Sequence, residues 1–311
     1  MSRARYRIGT RGSKLALAQT QQVIDLLHSF APEAEFQIEI ITTSGERDSR
    51  PLTEIGGKGI FTAELEQALL DGWIDIAVHS AKDLPTEISS ELAIAAYMPR
   101  IDPRETLISH NGERLLDLPR GAVVGTSSPR RRYQLLRFRP DLNFADIRGN
   151  LDTRIRKVHS GEYNAIVAAR AGLIRLGLTS EVSEIFPLDL ILPPAGQGAI
   201  ALQCRHDDIR VFKLLEMINY QPTALAVMAE RAVLKSLDVG CNDPVGVFAS
   251  LSVSGQTARS GEKLYLRAVL FDIESHEAHH AEIWGNPKRW RTLAEKISKQ
   301  LRKSQKKAEQ N

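Results

Sequence analysis

A chain of 311 residues, 42% hydrophobic and 25% charged, has the composition of a globular protein and the length for two or three domains. Its formal charge of +3 is too small to be a nucleic-acid footprint by itself, so any anion binding must come from where the arginines cluster. The opening MSRARYRIGTRGSK lacks the apolar core of a signal peptide, no stretch reaches the roughly 18 apolar residues of a membrane span, and the two cysteines, Cys204 and Cys241, are too few for a disulfide framework, so a cytoplasmic protein with reduced thiols is expected.

The first third alternates strand and helix signals. YRIGT leads into the periodic SKLALAQTQQVIDLLHSF from Ser13, then EFQIEIITT, FTAELEQALLDG, IDIAVHS and LAIAAYM, a pattern that predicts an α/β sheet. The two prolines of PRIDPRE break helix and ladder alike. A second α/β set follows with GAVVGTSS, a helix from Pro129, NFADIRG, a helix from Asn150, and NAIVAAR. LILPPAGQGAIALQCR supplies a proline-glycine crossing and a further strand, assigned to the first domain. A third unit opens with the helix PTALAVMAERAVLKSL and continues with strands such as EKLYLRAVLFD. The domains are therefore expected at 1–98 with 195–219, at 99–194, and at 220–311, the last of them α+β. The basic, polar end KISKQLRKSQKKAEQN is expected to be a solvated helix end that frays, with a binding arm as the alternative. The sequence has no repeat at a solenoid period and no low-complexity tract.

The clearest anion site is GTSSPRRR, residues 125–132. Ser128 before Pro129 reads as a helix start, a hydroxyl cap and then a residue whose missing donor does no harm in the first turn. Arg130 and Arg131 then stand where free backbone donors and the helix dipole favour a carboxylate or phosphate. Three solvated arginines on a helix face are the plain alternative. RGNLDTRIRK repeats the arrangement: Arg148 ends a strand, Gly149 allows a tight turn, Asn150 can cap, and Arg154 lies one turn in. Two such turns of one sheet point to the same carboxyl edge, where open α/β sheets bind ligands. Arg11 and Ser13 in IGTRGSK mark a third such turn in the first domain. Facing edges of the two domains would make a cationic cleft. Each buried charge-assisted hydrogen bond contributes roughly 1.5 to 3 kcal/mol, so this many arginines imply a ligand with several anionic groups.

Beside this, IDIAVHSAKDLPTE places Lys82 and Asp83 after an apolar strand, where an aspartate among cations can stabilise developing positive charge or relay a proton. An ordinary surface pair is the alternative. His79 reads as a packed strand-end histidine. IGGKGIF gives a loop with Lys58 and Phe61 suited to a lid; with Leu52 at the upstream glycine position it is not a Walker loop. HEAHH, residues 276–280, matches H-E-x-x-H but follows a strand-like run and leads into Gly285 and Pro287, a context for a hairpin strand and not for a metal-binding helix, so no metal is expected. Cys204 lies inside an apolar strand and is expected to be buried. Cys241 lies on a turn with Gly240, Pro244 and Gly246, which argues for an accessible thiol, and neighbouring cations would lower its pKa from the usual value near 8.5.

IGTRGSKLAL, IGGKGIF, AVHSAKDLP, VGTSSPRRR, RGNLDTR, AGLIRLGL, PAGQGAIALQCR and VGCNDPVG stand in the order and approximate spacing of one family. From about residue 6 to 250 the chain resembles porphobilinogen deaminase, also called hydroxymethylbilane synthase, and the remainder is similar to that family's small C-terminal domain. The resemblance implies two periplasmic-binding-protein-like α/β domains with a cleft between them, plus a small α+β C-terminal domain. It implies a dipyrromethane cofactor joined through a thioether to Cys241, an anchor and not a turnover nucleophile. Four porphobilinogens would be condensed head to tail onto that primer with loss of ammonia, and water would release the linear tetrapyrrole. Carried over by motif, Asp83 is the catalytic residue. Ser80, Lys82, Thr126, Ser128, Arg130, Arg131, Arg148, Gly149 and Arg154 would bind cofactor, and Arg11, Ser13, Lys58, Phe61, Arg175 and Gln197 would bind substrate. Asn242 and Asp243 after the cysteine, SGERD, and Arg170 depart from the usual pattern. The partner is then the small molecule porphobilinogen, with neither nucleic acid nor membrane, for a monomer. A non-catalytic anionic-solute-binding or effector-sensing module would share the arginines but needs neither Cys241 nor Asp83, and a redox enzyme would want a C-x-x-C pair.

Overall fold

A computed structural model describes residues 4–47, 61–239, 243–252 and 262–308. Packing divides the chain into two units, Met1–Ile101 with Gly198–Ala224, and Asp102–Gln197 with Leu225–Asn311.

The first unit is built on β1 (Arg5–Thr10), α1 (Lys14–Phe30), β2 (Glu35–Ile40), α2 (Ala63–Leu70), β3 (Ile76–Ser80) and β4 (Leu92–Tyr97), completed by β10 (Ile200–Arg205) and α6 (Ile209–Glu216). Its sheet runs β2-β1-β3-β10-β4, with β1 parallel to β2 and β3 and with β10 antiparallel to β3 and β4. The proline-glycine crossing thus leads back into the middle of the first sheet. β3 reads IAVHS, apolar almost throughout, because both faces of the sheet are covered. Val23 and Leu27 of α1 and Val211 and Leu215 of α6 pack with Ile76 and Val78 in one cluster. Leu65 and Leu69 of α2 pack with Ile74 and Ala77 in another. Gly9 is fixed by that second layer: a Cβ there would stand 2.3 Å from Cδ1 of Ile74.

The second unit repeats the plan with β5 (Glu105–Ser109), β6 (Val123–Gly125), α3 (Pro129–Leu136), β7 (Asn143–Ala145), α4 (Leu151–His159), β8 (Ala165–Ala169), α5 (Arg170–Arg175) and β9 (Glu184–Ile185). The order is β7-β6-β8-β5-β9, again a parallel trio extended by one antiparallel strand and then a strand that runs with the trio. The same unit holds most of α7 (Gln221–Leu237), then the antiparallel meander β11 (Val245–Ser252), β12 (Lys263–Phe271) and β13 (Ala278–Gly285), and α8 (Trp290–Ala308). Period-two alternation aims Leu264, Leu266, Ala268 and Leu270 into one core with Val233 and Leu237 of α7 and Leu293, Ile297 and Leu301 of α8. The helix runs to Ala308, and beyond Leu301 its side chains up to Lys306 are exposed or half-exposed, a solvated helix end as expected. Its apolar residues recur at helical spacing among lysines, and packing holds α8 as far as Leu301.

HEAHH falls on the β12–β13 turn and the start of β13, so its residues do not share a helix face. His276 sits in the turn at φ 61°, His279 is buried with Nδ1 3.2 Å from Oγ of Ser304, and the exposed His280 meets Nη1 of Arg137 at 2.6 Å.

Candidate functional site

In the first unit the site residues collect at the carboxyl ends of two neighbouring parallel strands, β1 and β3. Arg11 leaves β1, and the Oγ of Ser13 caps α1 by accepting from the Ala16 amide at 3.2 Å, as the motif predicts. The guanidinium carbon of Arg11 stands 4.4 Å over the ring of Phe61, so the cation rests on an aromatic face. At the end of β3, Ser80 accepts from Nε2 of Gln19 at 2.9 Å. A single 3₁₀ turn, Ala81–Asp83, follows. It is pinned by the Ala81 amide donating to the Ala199 carbonyl at 3.0 Å, and it leaves Lys82 and Asp83 half-exposed. Lys58 lies outside the described residues.

Under that turn His79 is buried, as its position predicts. Nε2 of His79 donates to Oε1 of Gln203 at 2.9 Å, and Nε2 of Gln203 donates to Oε1 of Glu66 at 2.8 Å. Burial pulls the histidine down to about 4, with the charge of Arg11 adding to the fall, so the ring is neutral at physiological pH.

In the second unit the adjacent parallel strands β6 and β7 bring the two arginine turns side by side. Ser127 stitches them: its hydroxyl donates to the Ile147 carbonyl and accepts the Ile147 amide, each at 3.2 Å. The buried Thr126 accepts from the Ser128 amide at 3.2 Å. Ser128 holds the cap position of α3 with Pro129 behind it, but its hydroxyl makes no capping bond. Gly149 adopts φ 107°, and a Cβ there would lie 2.8 Å from Cγ2 of Thr153. Asn150 takes the cap position of α4, also without a side-chain cap. Nε of Arg154 donates to the Gly149 carbonyl at 2.8 Å, and Arg148 and Arg154 are both half-exposed.

Arg130 and Arg131 depart from the outward-facing pair that the sequence suggests. They are 4% and 9% exposed, and both turn inward onto Glu105, which is 0% exposed. Arg131 clamps the carboxylate with Nε at 3.0 Å and Nη2 at 2.7 Å, Arg130 pairs with the same Oε1, and their remaining Nη1 groups donate to the carbonyls of Val167 and Leu192. Burial lowers Arg130 to about 10, opposed by Glu105, so it stays cationic. Sequence reasoning missed Glu105 and Ser127. The available signal for the first was an acid opening the strand-like run ETLIS with two arginines in one helical turn needing a counter-ion.

Arg175 ends α5, half-buried, with its guanidinium pulled down to about 10 by burial. Gln197 is turned inward, 1% exposed, with Nε2 donating to the Pro103 carbonyl at 2.7 Å. Cys204 is fully buried in β10, its thiol pushed up to about 11 by burial, the inert interior cysteine that its strand predicts. Cys241 lies outside the described residues. Its described flanks Val239, Asp243 and Pro244 line a cavity of about 470 Å³ with Leu270, Phe271 and Arg302.

A dipyrromethane carries four carboxylates on two pyrrole rings. The half-exposed Arg148 and Arg154 after β7, with Ser128 on the turn after the adjacent β6, are donors of the kind such a group needs. In the first unit Arg11 follows β1, and Lys82 and Asp83 stand half-exposed on the turn after β3.

Residues 6–213 match the family model described as porphobilinogen deaminase, dipyrromethane cofactor binding domain, and residues 224–304 match that of the porphobilinogen deaminase C-terminal domain. The chain belongs to the porphobilinogen deaminase family. It is 46% identical over 258 residues to porphobilinogen deaminase of Brevibacillus brevis, covering 83% of this chain and 84% of that one. It is also 46% identical over 284 residues to the probable porphobilinogen deaminase of Methanopyrus kandleri, covering 90% and 92%. For a porphobilinogen deaminase the cofactor is the dipyrromethane that names the first matched domain, and that match spans both five-stranded sheets.

Proposed function

We propose that the protein is a hydroxymethylbilane synthase, which condenses four porphobilinogen molecules head to tail onto a dipyrromethane primer on Cys241. Each addition forms a carbon–carbon bond between a terminal pyrrole carbon and the aminomethyl carbon of porphobilinogen, expels ammonia and loses the pyrrole α-proton, and water finally releases the linear tetrapyrrole. When bound, the dipyrromethane supplies the first nucleophilic pyrrole carbon. Asp83 accepts hydrogen bonds from pyrrole N–H groups, and its negative charge stabilises the cationic centre created as ammonia leaves. Lys82 and Arg11, on the same sheet edge, neutralise acetate and propionate groups, as do Arg148 and Arg154 on the other sheet, where Ser128 donates a hydrogen bond. Gly149 provides the tight turn that sets Arg148 and Arg154 on one side of α4, and Thr126 and Ser80 brace their turns. Arg130 and Arg131 serve this site from within, holding the start of α3 through Glu105. Arg175, Gln197, Lys58 and Phe61 complete the substrate set.

The observation that carries this reading is the 3₁₀ turn at the end of β3, which leaves Asp83 and Lys82 half-exposed together on the strand next to the one that Arg11 follows. The three separate sheets support domains at 1–98 with 195–219, at 99–194 and at 220–311. The same reading makes the enzyme a cytoplasmic monomer. Among the described residues no helix is long and apolar enough to cross a membrane.

Intact-protein mass spectrometry tests the anchor: the purified chain should carry a two-pyrrole adduct that Cys241→Ser abolishes. Asp83→Asn should keep the adduct and lose roughly 10²–10⁴-fold in turnover of porphobilinogen, the range for a lost acid–base or electrostatic group. Near-normal turnover by that variant would remove Asp83 from the mechanism.

A further inference from the structure

α8 sorts its side chains onto two sides. At about 100° per residue, the buried Leu293, Ala294, Ile297 and Leu301 lie on one side, while Arg291, Lys296, Lys299, Arg302, Lys303 and Lys306 share an arc of about 140° on the other. All six are exposed, and Glu295 is the one acid of the helix. Residues 287–308 hold nine of the chain's 41 lysines and arginines against one of its 38 acids, a local charge of +8 that leaves the rest of the chain at −5. The positive balance of the whole molecule therefore resides on this segment.

Helix stability does not account for the pattern. The macrodipole favours cations in the last turn, yet Arg291 stands in the first, where it is disfavoured, and Lys296 and Lys299 lie mid-helix. Lys296–Lys299, Lys299–Lys303, Lys303–Lys306 and Arg302–Lys306 are like-charge pairs at three- or four-residue spacing, each mutually repulsive. Among the described residues none of the six is in an ion pair.

We propose that this arc is a docking surface for an acidic helix of a partner protein. Lys296, Lys299, Lys303 and Lys306 advance by three, four and three residues, about one cation per 5.4 Å turn. A second helix with glutamates at the same spacing meets them turn for turn. The row is narrow. Asp243, Asp272 and Glu274 share a cavity wall with Arg302, and Asp272 also accepts from Nε2 of Gln305 at 3.4 Å. A broad sheet of anionic headgroups or a nucleic-acid backbone would press its phosphates against those carboxylates, whereas a single acidic row meets only the cations. Membrane insertion is closed to this helix, because its apolar face is already in the core. Four of the six cations are lysines, point charges without the planar fork that grips phosphate.

The test uses the loaded enzyme and a fluorescent alanine-based helical peptide with glutamates at three-four-three spacing, followed by anisotropy at low and physiological salt. Wild type should bind it at least tenfold more tightly than a scrambled peptide with the same glutamates spread around the helix, with affinity falling as salt rises. The Lys296→Glu, Lys299→Glu, Lys303→Glu triple variant should lose at least tenfold in affinity at unchanged porphobilinogen turnover. The corresponding Lys→Gln variant, less disruptive, should lose severalfold. Equal peptide affinity of wild type and either variant overturns the proposal, as does tighter binding of wild type to an RNA duplex or to phosphatidylserine vesicles than to the peptide.

Discussion

Glu105 anchors the helix start that bears GTSSPRRR. One buried carboxylate compensates two buried guanidinium groups, whose Nη1 groups donate to the carbonyls of Leu192 and Val167. Removing the charge strands two cations in the interior, and breaking a buried pair in this way costs about 3–5 kcal/mol. Glu105→Gln should therefore lower unfolding stability by about that much in urea titration, whereas a surface pair such as Arg5 with Glu35 should be worth under about 1 kcal/mol. His79 gives the complementary pH signal. Its folded value of about 4 lies below the unfolded 6.5, so between these the unfolded chain binds a proton that the folded chain refuses. Stability supplied by this residue is full above pH 6.5 and falls as the pH drops toward 4, by on the order of 3 kcal/mol. His79→Gln should flatten the urea midpoint against pH in that window by one proton, and an unaltered slope would mean that His79 is not the group titrating.

At the scale of elements, what was legible followed from local chemistry. Ser13 before an apolar period of three and four gave α1 with its cap, Pro129 and Asn150 marked the true first turns of α3 and α4, and the flanking glycine and proline kept HEAHH out of a helix. What was not legible depended on partners distant in sequence. Nothing around Arg130 indicates that Glu105, on another strand, turns it inward. Likewise the apolar spacing of α8 does not say that α7 and the meander are what cover it. The α4 turn offers the sharpest local test. Gly149 combines a left-handed φ with a Cβ position 2.8 Å from Thr153, so Gly149→Ala meets both backbone strain and a clash. It should cost about 1–3 kcal/mol of stability and reduce the fraction of chains carrying the two-pyrrole adduct, because Arg148 and Arg154 flank that residue. Gly161→Ala, with a similar φ of 77° but open space around it, should cost less and leave loading unchanged.

Across the whole molecule the two five-stranded sheets share one plan, a parallel trio extended by one antiparallel strand and then a strand that runs with the trio, but they close differently in sequence. The second sheet is complete between residues 105 and 185, whereas the first waits for β10, which arrives about a hundred residues after β4 and enters between β3 and β4. Until it does, β4 has no ladder partner and β3 presents an open apolar edge, the condition under which strands pair with the wrong chain. β10 also brings Leu202 and Cys204, and α6 after it brings Val211 and Leu215, to the same core as α1. A chain ended after Gln197 should therefore lose amide protection over β1 to β4 while keeping more of it over β5 to β8, read by hydrogen exchange, and should aggregate where the full chain does not. Protection of β1 to β4 at the level of the full chain would show that the parallel trio holds without its late-arriving neighbour, and that the return strand serves to finish the edge carrying Asp83 more than to stabilise the sheet.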